Sequence, residues 1–95
     1  MAAHHDYTTL ADRVKTFIGW PGVQNPQDMA AAGFFYTGIK DKVKCFFCDG
    51  GLDNWETSDD PYEQHALHFN RCAYVNLLQL HYNQNQKKMS PKSSI

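Results

Sequence analysis

The feature that most constrains this chain is a group of three cysteines and one histidine with the spacing of a metal site. Cys45 and Cys48 form a Cys-x-x-Cys pair, and His65 and Cys72 follow after gaps of sixteen and six residues. Three thiolates and one imidazole make a full ligand set for a tetrahedral zinc ion. One pair lies at a predicted turn and the other at a predicted helix and its exit. A single ion would therefore clamp a hairpin to a helix, which matters in a chain of 95 residues with a limited core.

Spacing alone leaves the identity of the histidine ligand open. His65 and His68 stand three residues apart on one predicted helix, so both face roughly the same side. His68 with Cys72 would also form an acceptable zinc half-site, whereas His65 lies further inside the helix and can point back at the sheet. The remaining histidines have no second ligand near them in sequence.

Other interpretations of the cysteines fit the sequence less well. Buried cysteines can act as small apolar residues, but that does not explain a Cys-x-x-Cys pair followed by a His/Cys pair. A redox Cys-x-x-Cys motif opens a helix after a βα unit, whereas this pair falls between two short predicted strands. A catalytic zinc keeps one position open for water, and four protein ligands leave none. The sequence thus predicts one structural Zn²⁺ and no enzymatic activity, with zinc-dependent hydrolysis as a disfavoured alternative.

The cysteine count bears on the cellular compartment, and the charge distribution bears on the kind of binding partner. Three cysteines fit a disulfide framework poorly, and free thiols indicate a reducing compartment, so a cytoplasmic or nuclear location is expected. No apolar run is long enough to span a membrane.

Between Cys45 and Cys72 the only basic residue is Arg71. The acidic residues of that stretch are Asp49, Asp53, Glu56, Asp59, Asp60 and Glu63. This acidic segment favours a cationic partner such as a protein amino group over nucleic acid, although a merely solvated acidic face has the same composition.

The pattern of apolar residues and turn signals predicts one α+β domain. We expect a flexible leader over residues 1–7, the domain over 8–82, and a flexible tail over 83–95 that is rich in Gln, Asn, Lys and Ser. The aromatic and β-branched runs predict three strands in an antiparallel meander, Phe34–Thr37, Val43–Phe46 and Leu52–Trp55. The last of them would be an edge strand. Capping residues and Pro place four to five short helices around this sheet.

Several motifs in order resemble one known family. The spacing Cys-x2-Cys-x16-His-x6-Cys is similar to the zinc signature of the BIR domain of inhibitor-of-apoptosis proteins. The segments that carry the resemblance are Arg13–Phe17 with Trp20-Pro21, Ala31–Gly38, Asp41–Cys48 and Gly50–Trp55. The similarity runs from about Arg13 to Val75 and is greatest to the groove-bearing second or third repeats. It implies His65 rather than His68 as the zinc ligand. No RING motif is present, so ubiquitin-ligase activity is not expected in this chain.

The resemblance also implies a peptide-binding function. Groove-bearing repeats capture peptides with a free N-terminal Ala, as found on processed caspases and on the antagonists that displace them. Strand addition to the edge strand would supply the backbone contacts. By this resemblance, Gly51 would allow close approach of the peptide backbone, and Leu52 and Trp55 would form the walls of a methyl-sized pocket. Asp59 would receive the α-ammonium of the peptide, and Gln64 would add a polar contact. Asp53 and Asn54 would flank the added strand.

One position departs from the family pattern. His68 stands where groove-bearing relatives usually have a second Trp that packs on the peptide, so we expect a weaker or reshaped site for the first and third peptide residues. Two alternatives to the leading interpretation are a BIR-type scaffold or signalling adaptor that does not bind caspases, and a zinc nucleic-acid module. The acidic segment argues against the second.

Overall fold

A computed structural model describes residues 2–80 of the chain. In chain order its elements are a 3-10 turn His5–Tyr7, α1 Leu10–Lys15, α2 Pro26–Ala31, β1 Phe34–Tyr36, β2 Val43–Cys45, β3 Gly51–Leu52, α3 Pro61–His68, and a helix α4 over residues 73–80. This is the predicted α+β architecture, with four α-helices around one sheet. The predicted tail over 83–95 and the last two residues of the predicted domain, 81 and 82, lie outside the described residues. Within residues 2–80, no helix combines the length and apolarity needed to cross a membrane.

Each of the first three α-helices begins at a side chain that caps its free N–H groups. Thr9 Oγ1 accepts from the Asp12 N–H at 3.1 Å, which starts α1. Asn25 caps α2 and Asp60 caps α3, and in both helices a Pro occupies the first turn, where its missing N–H costs nothing. The helix starts therefore follow directly from local sequence.

The sheet is an antiparallel meander of order β1-β2-β3. The register pairs Phe34 with Cys45 and Val43 with Leu52, which places the apolar side chains on the inner face. The predicted meander and its edge strand are confirmed, but β3 ends at Leu52 instead of reaching Trp55. Asn54 has φ of 59°, which breaks the extended conformation and ends the ladder with β2.

The core lies between the inner face of the sheet and the helices. Its fully buried members include Phe34, Met29 and Val43, all 0% exposed, and Val75 at 1%. At helical spacing from Val14, Ile18 is predicted to share the apolar face of the first helix. Ile18 is instead 88% exposed, because α1 ends at Lys15 and the helical periodicity no longer applies beyond it.

The sequence predicts a flexible leader over residues 1–7, and in the structure residues 2–7 pack on the sheet. The N–H groups of Ala3 and His4 donate to the carbonyls of residues 47 and 46 at 3.1 and 2.9 Å. His4 Nε2 lies 2.7 Å from Asp49 Oδ1. The ring of Tyr7 stacks on Phe35 with centroids 4.4 Å apart. These contacts join residues far apart in sequence, so the polar composition of the leader did not reveal them.

Arg13 ties the leader to the core. Its side chain is 3% exposed, and burial lowers its pKa. Nε donates to the Ala30 carbonyl at 2.8 Å and Nη1 to the Tyr7 carbonyl at 3.0 Å. Nη2 donates to the Tyr74 hydroxyl at 3.3 Å, and the guanidinium lies 4.4 Å from the centroid of the Phe46 ring. One planar cation therefore joins the leader, α2 and α4.

Arg13→Lys should destabilise the domain, since the single nitrogen of an ammonium cannot reach three acceptors that bond three different guanidinium nitrogens. Buried carbonyls would lose their donors, and we expect a loss of about 2–4 kcal/mol in the free energy of unfolding. Thermal unfolding of the zinc-loaded protein measures it. Arg71→Lys, the same chemical change at an exposed position, is the matched control. Equal melting temperatures for the two variants would contradict the role assigned to Arg13.

Candidate metal centre and adjoining groove

The first two cysteines are positioned by a tight turn at the end of β2. Cys45 is the last residue of the strand and is fully buried. The Asp49 N–H donates to the Cys45 carbonyl at 3.0 Å, and Asp49 adopts φ of 65°, which closes the turn. The Phe47 N–H points at Cys45 Sγ at 3.3 Å, and the Gly50 N–H is directed at the sulfur of Cys48. Both sulfurs thus face the interior with N–H donors beside them.

The other two candidate ligands come from α3 and the segment after it. His65 is fully buried, and its Nδ1 lies 2.6 Å from the Ala32 carbonyl. Because a carbonyl can only accept, Nδ1 carries the proton and Nε2 is left with a free lone pair. This carbonyl contact fixes ring orientation and tautomer as is usual for metal-binding histidines. Cys72 is 4% exposed and follows the exit of α3.

The four donor atoms have the separations of a tetrahedral site. All lie within 4.8 Å of one another. Cys45 Sγ and Cys72 Sγ are 3.9 Å apart, and Cys48 Sγ lies 3.8 Å from His65 Nε2. A Zn–S bond of about 2.3 Å places two sulfurs of a tetrahedron roughly 3.8 Å apart. The predicted ligand set is therefore brought together, and its geometry and chemistry fit zinc.

Burial of the site shifts the pKa values of its cysteines and of its histidine in directions that suit metal binding. Burial raises the pKa of the Cys45 and Cys48 thiols, so their deprotonation requires a compensating cation, as metal binding supplies. Burial lowers the pKa of His65, which favours the neutral, ligand-competent imidazole. His68, the other histidine compatible with the spacing, lies outside this cluster and is exposed.

Beside the cluster lies a surface cavity of about 220 Å³. Its lining residues are Leu52, Asp53, Asn54, Trp55, Asp59, Gln64 and His68. The structure thus gathers seven of the eight residues that the resemblance implied for peptide contact, and Gly51 adjoins them on β3. The cavity is smaller than the roughly 300–1,000 Å³ of typical small-molecule sites. It has room for the end of a chain.

The backbone of Gly51 faces the open edge of the sheet. The Cys45 N–H donates to the Gly50 carbonyl at 2.9 Å, and Leu52 pairs with Val43. Because hydrogen-bonding direction alternates along an antiparallel strand, the N–H and C=O of the intervening Gly51 point away from β2. Within residues 2–80, β3 has a strand on one side only. It therefore offers a donor and an acceptor to an added strand.

Asp59 lies in a turn that orients its carboxylate. The Asp59 N–H donates to the Glu56 carbonyl at 2.9 Å, and the Glu56 N–H donates to Asp59 Oδ2 at 2.9 Å. These two bonds close the turn and fix one carboxylate oxygen. The other oxygen is left for the cavity that Asp59 lines.

Sequence reasoning did not identify Asp41 as part of this site. Its two carboxylate oxygens accept the N–H groups of Asn54 and Trp55 at 2.9 and 2.8 Å, where β3 has left the ladder. These backbone bonds, with that of Asn54 the largest cause, lower the pKa of Asp41. The carboxylate replaces the missing strand pairing and holds the cavity wall.

Gln24 is the second residue that sequence reasoning missed. Its Nε2 donates to the carbonyls of Glu56 and Asp59 at 2.6 and 3.1 Å. Gln24 precedes α2, and no local pattern signals a partner 32 to 35 residues away.

Comparison with known proteins identifies relatives over most of this region. A family model described as "BIR: Inhibitor of Apoptosis domain" matches residues 13–76. The chain is 56% identical over 78 residues to "Apoptosis inhibitor IAP" of Cydia pomonella granulosis virus (isolate Mexico/1963), covering 80% of this chain and 28% of that protein. It is 54% identical over 79 residues to "E3 ubiquitin-protein ligase IAP-3" of Orgyia pseudotsugata multicapsid polyhedrosis virus, covering 81% of this chain and 30% of that protein. The chain thus spans less than a third of the length of these relatives.

Solved structures give the same result for the fold. The structure described as DIAP1 BIR1 bound to a Grim peptide superposes with a TM-score of 0.70 at 34% identity, covering 74% of this chain and 73% of that chain. The structure described as the autoinhibited dIAP1-BIR1 domain gives a TM-score of 0.66 at 35% identity, covering 68% and 70%.

Proposed function

This chain belongs to the Inhibitor of Apoptosis (BIR) domain family, the protein-interaction modules of apoptosis inhibitors, and we propose that it captures protein N-termini that begin with a free Ala. The observation that carries the proposal is the cavity beside β3. It combines an oriented acid, Asp59, with a half-buried wall of Leu52 and Trp55 and an open strand edge at Gly51. An extended peptide that starts with a small side chain meets all three.

The peptide would add to β3 as a fourth, antiparallel strand. Its backbone would pair with the N–H and C=O of Gly51, and its α-ammonium would bond to Asp59 and Gln64. A methyl side chain would enter the space between Leu52 and Trp55, whereas Asp53 and Asn54 would flank the strand. Acetylation of the peptide would remove both the positive charge and the donors.

The partners that fit this chemistry are the exposed N-termini of processed caspases or of the antagonists that compete with them. The similar DIAP1 BIR1 domain is described as bound to a Grim peptide, which supports a peptide ligand for this fold. We further propose that Cys45, Cys48, His65 and Cys72 hold one structural Zn²⁺. When bound, the ion supplies the cross-link between the β2 turn and α3. The free thiols fit a cytoplasmic or nuclear setting.

A titration of three peptides tests the proposed function. Four-residue peptides that begin with free Ala, acetyl-Ala and Met are titrated against the zinc-loaded domain by calorimetry. We expect binding of the first and a large loss for the other two. Equal affinity for all three peptides would show that the cavity does not recognise a free N-terminal Ala. That result would favour the adaptor alternative, in which another surface contacts the partner.

His68→Trp should tighten binding of the Ala-starting peptide. His68 is exposed and lines the cavity, and a larger aromatic ring there gains contact area with the peptide. An added aromatic contact is worth about 0.5–1.5 kcal/mol, or roughly 2–13-fold in Kd. Leu67→Trp is the matched control, since Leu67 is exposed on the same helix and is absent from the cavity lining. A Kd unchanged by His68→Trp, or improved equally by both variants, would show that position 68 is not part of the peptide site.

A further inference from the structure

We propose that Gln24 is a positioning residue for amine recognition: it fixes the turn that presents Asp59 to the peptide. This inference rests on the proposed function and assigns a role to a residue outside the cavity lining. Gln24 touches no peptide; it acts through the backbone of residues 56–59.

The geometry places one amide group across both ends of that turn. Gln24 is 9% exposed, and its Nε2 donates to the carbonyl of Glu56 at 2.6 Å and to that of Asp59 at 3.1 Å. The two hydrogen bonds between Glu56 and Asp59 lie within the turn and do not connect it to the rest of the domain. The two bonds from Gln24 connect the turn to the segment between α1 and α2.

Gln24 is itself anchored to the aromatic core. Its backbone carbonyl accepts from Trp20 Nε1 at 2.9 Å. The Trp20 ring packs edge-on against Phe17 and Tyr36, with centroids 5.2 and 5.1 Å away. The route from the core to the turn therefore runs through Trp20 and Gln24 by contacts that the structure shows directly.

The other end of the Gln24 amide indicates that its role is more than packing. Oε1 is buried, and among residues 2–80 it has no hydrogen-bond partner. An unpaired buried acceptor costs free energy, and an apolar side chain of similar length would fill the space without that cost. The compensating gain lies in the amide nitrogen of Gln24, which donates to the two turn carbonyls within the described residues 2–80.

Turn position matters because Asp59 must meet an ammonium ion at hydrogen-bonding distance. Oδ2 is already engaged by the Glu56 N–H, so the carboxylate moves with the turn backbone. Binding groups need to be held within roughly 0.5 Å of their productive positions. A turn released from Gln24 would let the carboxylate move away from the amine.

A double-mutant cycle tests this. Gln24→Met keeps the length of the side chain and removes both donors. We expect it to weaken binding of the free-Ala peptide about 5–10-fold in the wild-type background, and less than 2-fold in an Asp59→Asn background, because its effect requires the carboxylate. Gln27→Met, the same change at an exposed residue of α2, should leave the Kd unchanged in both. Zinc content and the thermal transition confirm that each variant is folded.

The outcomes separate this inference from the function on which it rests. If the wild-type domain does not prefer free Ala, the proposed function fails. If it does and Asp59→Asn weakens binding, but Gln24→Met binds as the wild type or loses equally in both backgrounds, the positioning role alone is overturned. Should Gln24→Met not fold, Trp20→Phe removes the bond to the Gln24 carbonyl together with part of the ring that packs on Phe17 and Tyr36. The Asp59→Asn background then isolates the part of its effect that acts through the carboxylate. A 2–5-fold loss that disappears in Asp59→Asn supports the proposal, and no loss contradicts it.

Discussion

Removal of zinc with a chelator should unfold this domain. The sheet and α3 are joined through four donor atoms that converge from two chain segments, and three of the four belong to buried residues. Apparent zinc-binding free energies are about 10–16 kcal/mol in zinc-finger peptides, whereas small domains unfold at a cost of about 5–15 kcal/mol. Loss of the ion therefore outweighs the stability expected of a 95-residue chain. Circular dichroism during chelation should show loss of structure, and added Zn²⁺ should restore it.

A matched pair of histidine variants locates the ligand. His65→Ala removes the imidazole that lies 3.8 Å from Cys48 Sγ and should abolish stoichiometric zinc and cooperative folding. His68→Ala removes an imidazole three residues away on the same helix, outside the cluster, and should retain both. Metal analysis should give one zinc per folded chain. A chelated domain with an unchanged cooperative transition would show that the cluster is not a structural metal site.

Asp59→Asn should weaken binding of a free-Ala peptide by roughly 10–150-fold. The substitution keeps an oxygen that can accept from the Glu56 N–H, so the turn retains its closing bond. It removes the charge that the ammonium would meet. Hydrogen bonds to charged groups contribute about 1.5–3 kcal/mol, which gives this range. Calorimetric titration of wild type and variant with one peptide measures the change directly.

The control for Asp59→Asn is an equal change in net charge nearby. Glu63→Gln neutralises an exposed acid on α3 that is absent from the cavity lining. A long-range electrostatic effect would weaken binding similarly in both variants, whereas a direct contact predicts less than a 3-fold loss for Glu63→Gln at physiological salt. Comparable losses would mean that Asp59 contributes only to the general acidity of the acidic segment.

The parts of the fold that the sequence predicted are those set by local chemistry. Capping by Thr9, Asn25 and Asp60 acts within three residues, so helix starts could be identified without tertiary information. The meander followed from short apolar runs separated by turns. The ligand spacing, with the family resemblance, indicated the metal cluster because few other sites need that combination of residues.

What could not be predicted depends on contacts between distant residues. Asp41 lies in the polar stretch between β1 and β2, but its role comes from two N–H groups beyond the end of β3. Gln24 carries no signal until the fold brings the 56–59 turn beside it. The backbone bonds from residues 3 and 4 to residues 47 and 46 join distant parts of the chain, and the polarity of the leader gives no guide to them. In each case the sequence did not show which distant residue would be the hydrogen-bond partner.

The local sequence pattern predicted the presence of β3 but not where it ends. An extended run to Trp55 was predicted, yet the ladder stops at Leu52 and Asn54 takes a left-handed conformation. The groove is consequently built from a short strand and a loop that Asp41 holds, rather than from a regular strand. The residues beside the cavity are those that the family resemblance implied, but the forces that position them are not those of a sheet.

A crystal structure of the zinc-loaded domain with an Ala-starting tetrapeptide would test the proposed peptide site at the level of individual contacts. We expect the peptide to run antiparallel to β3, with backbone hydrogen bonds to Gly51 and its α-ammonium within about 3.2 Å of an Asp59 oxygen. The zinc should be bound by the three cysteines and His65. A peptide bound elsewhere, or an ammonium exposed to solvent away from Asp59, would contradict the proposed peptide site.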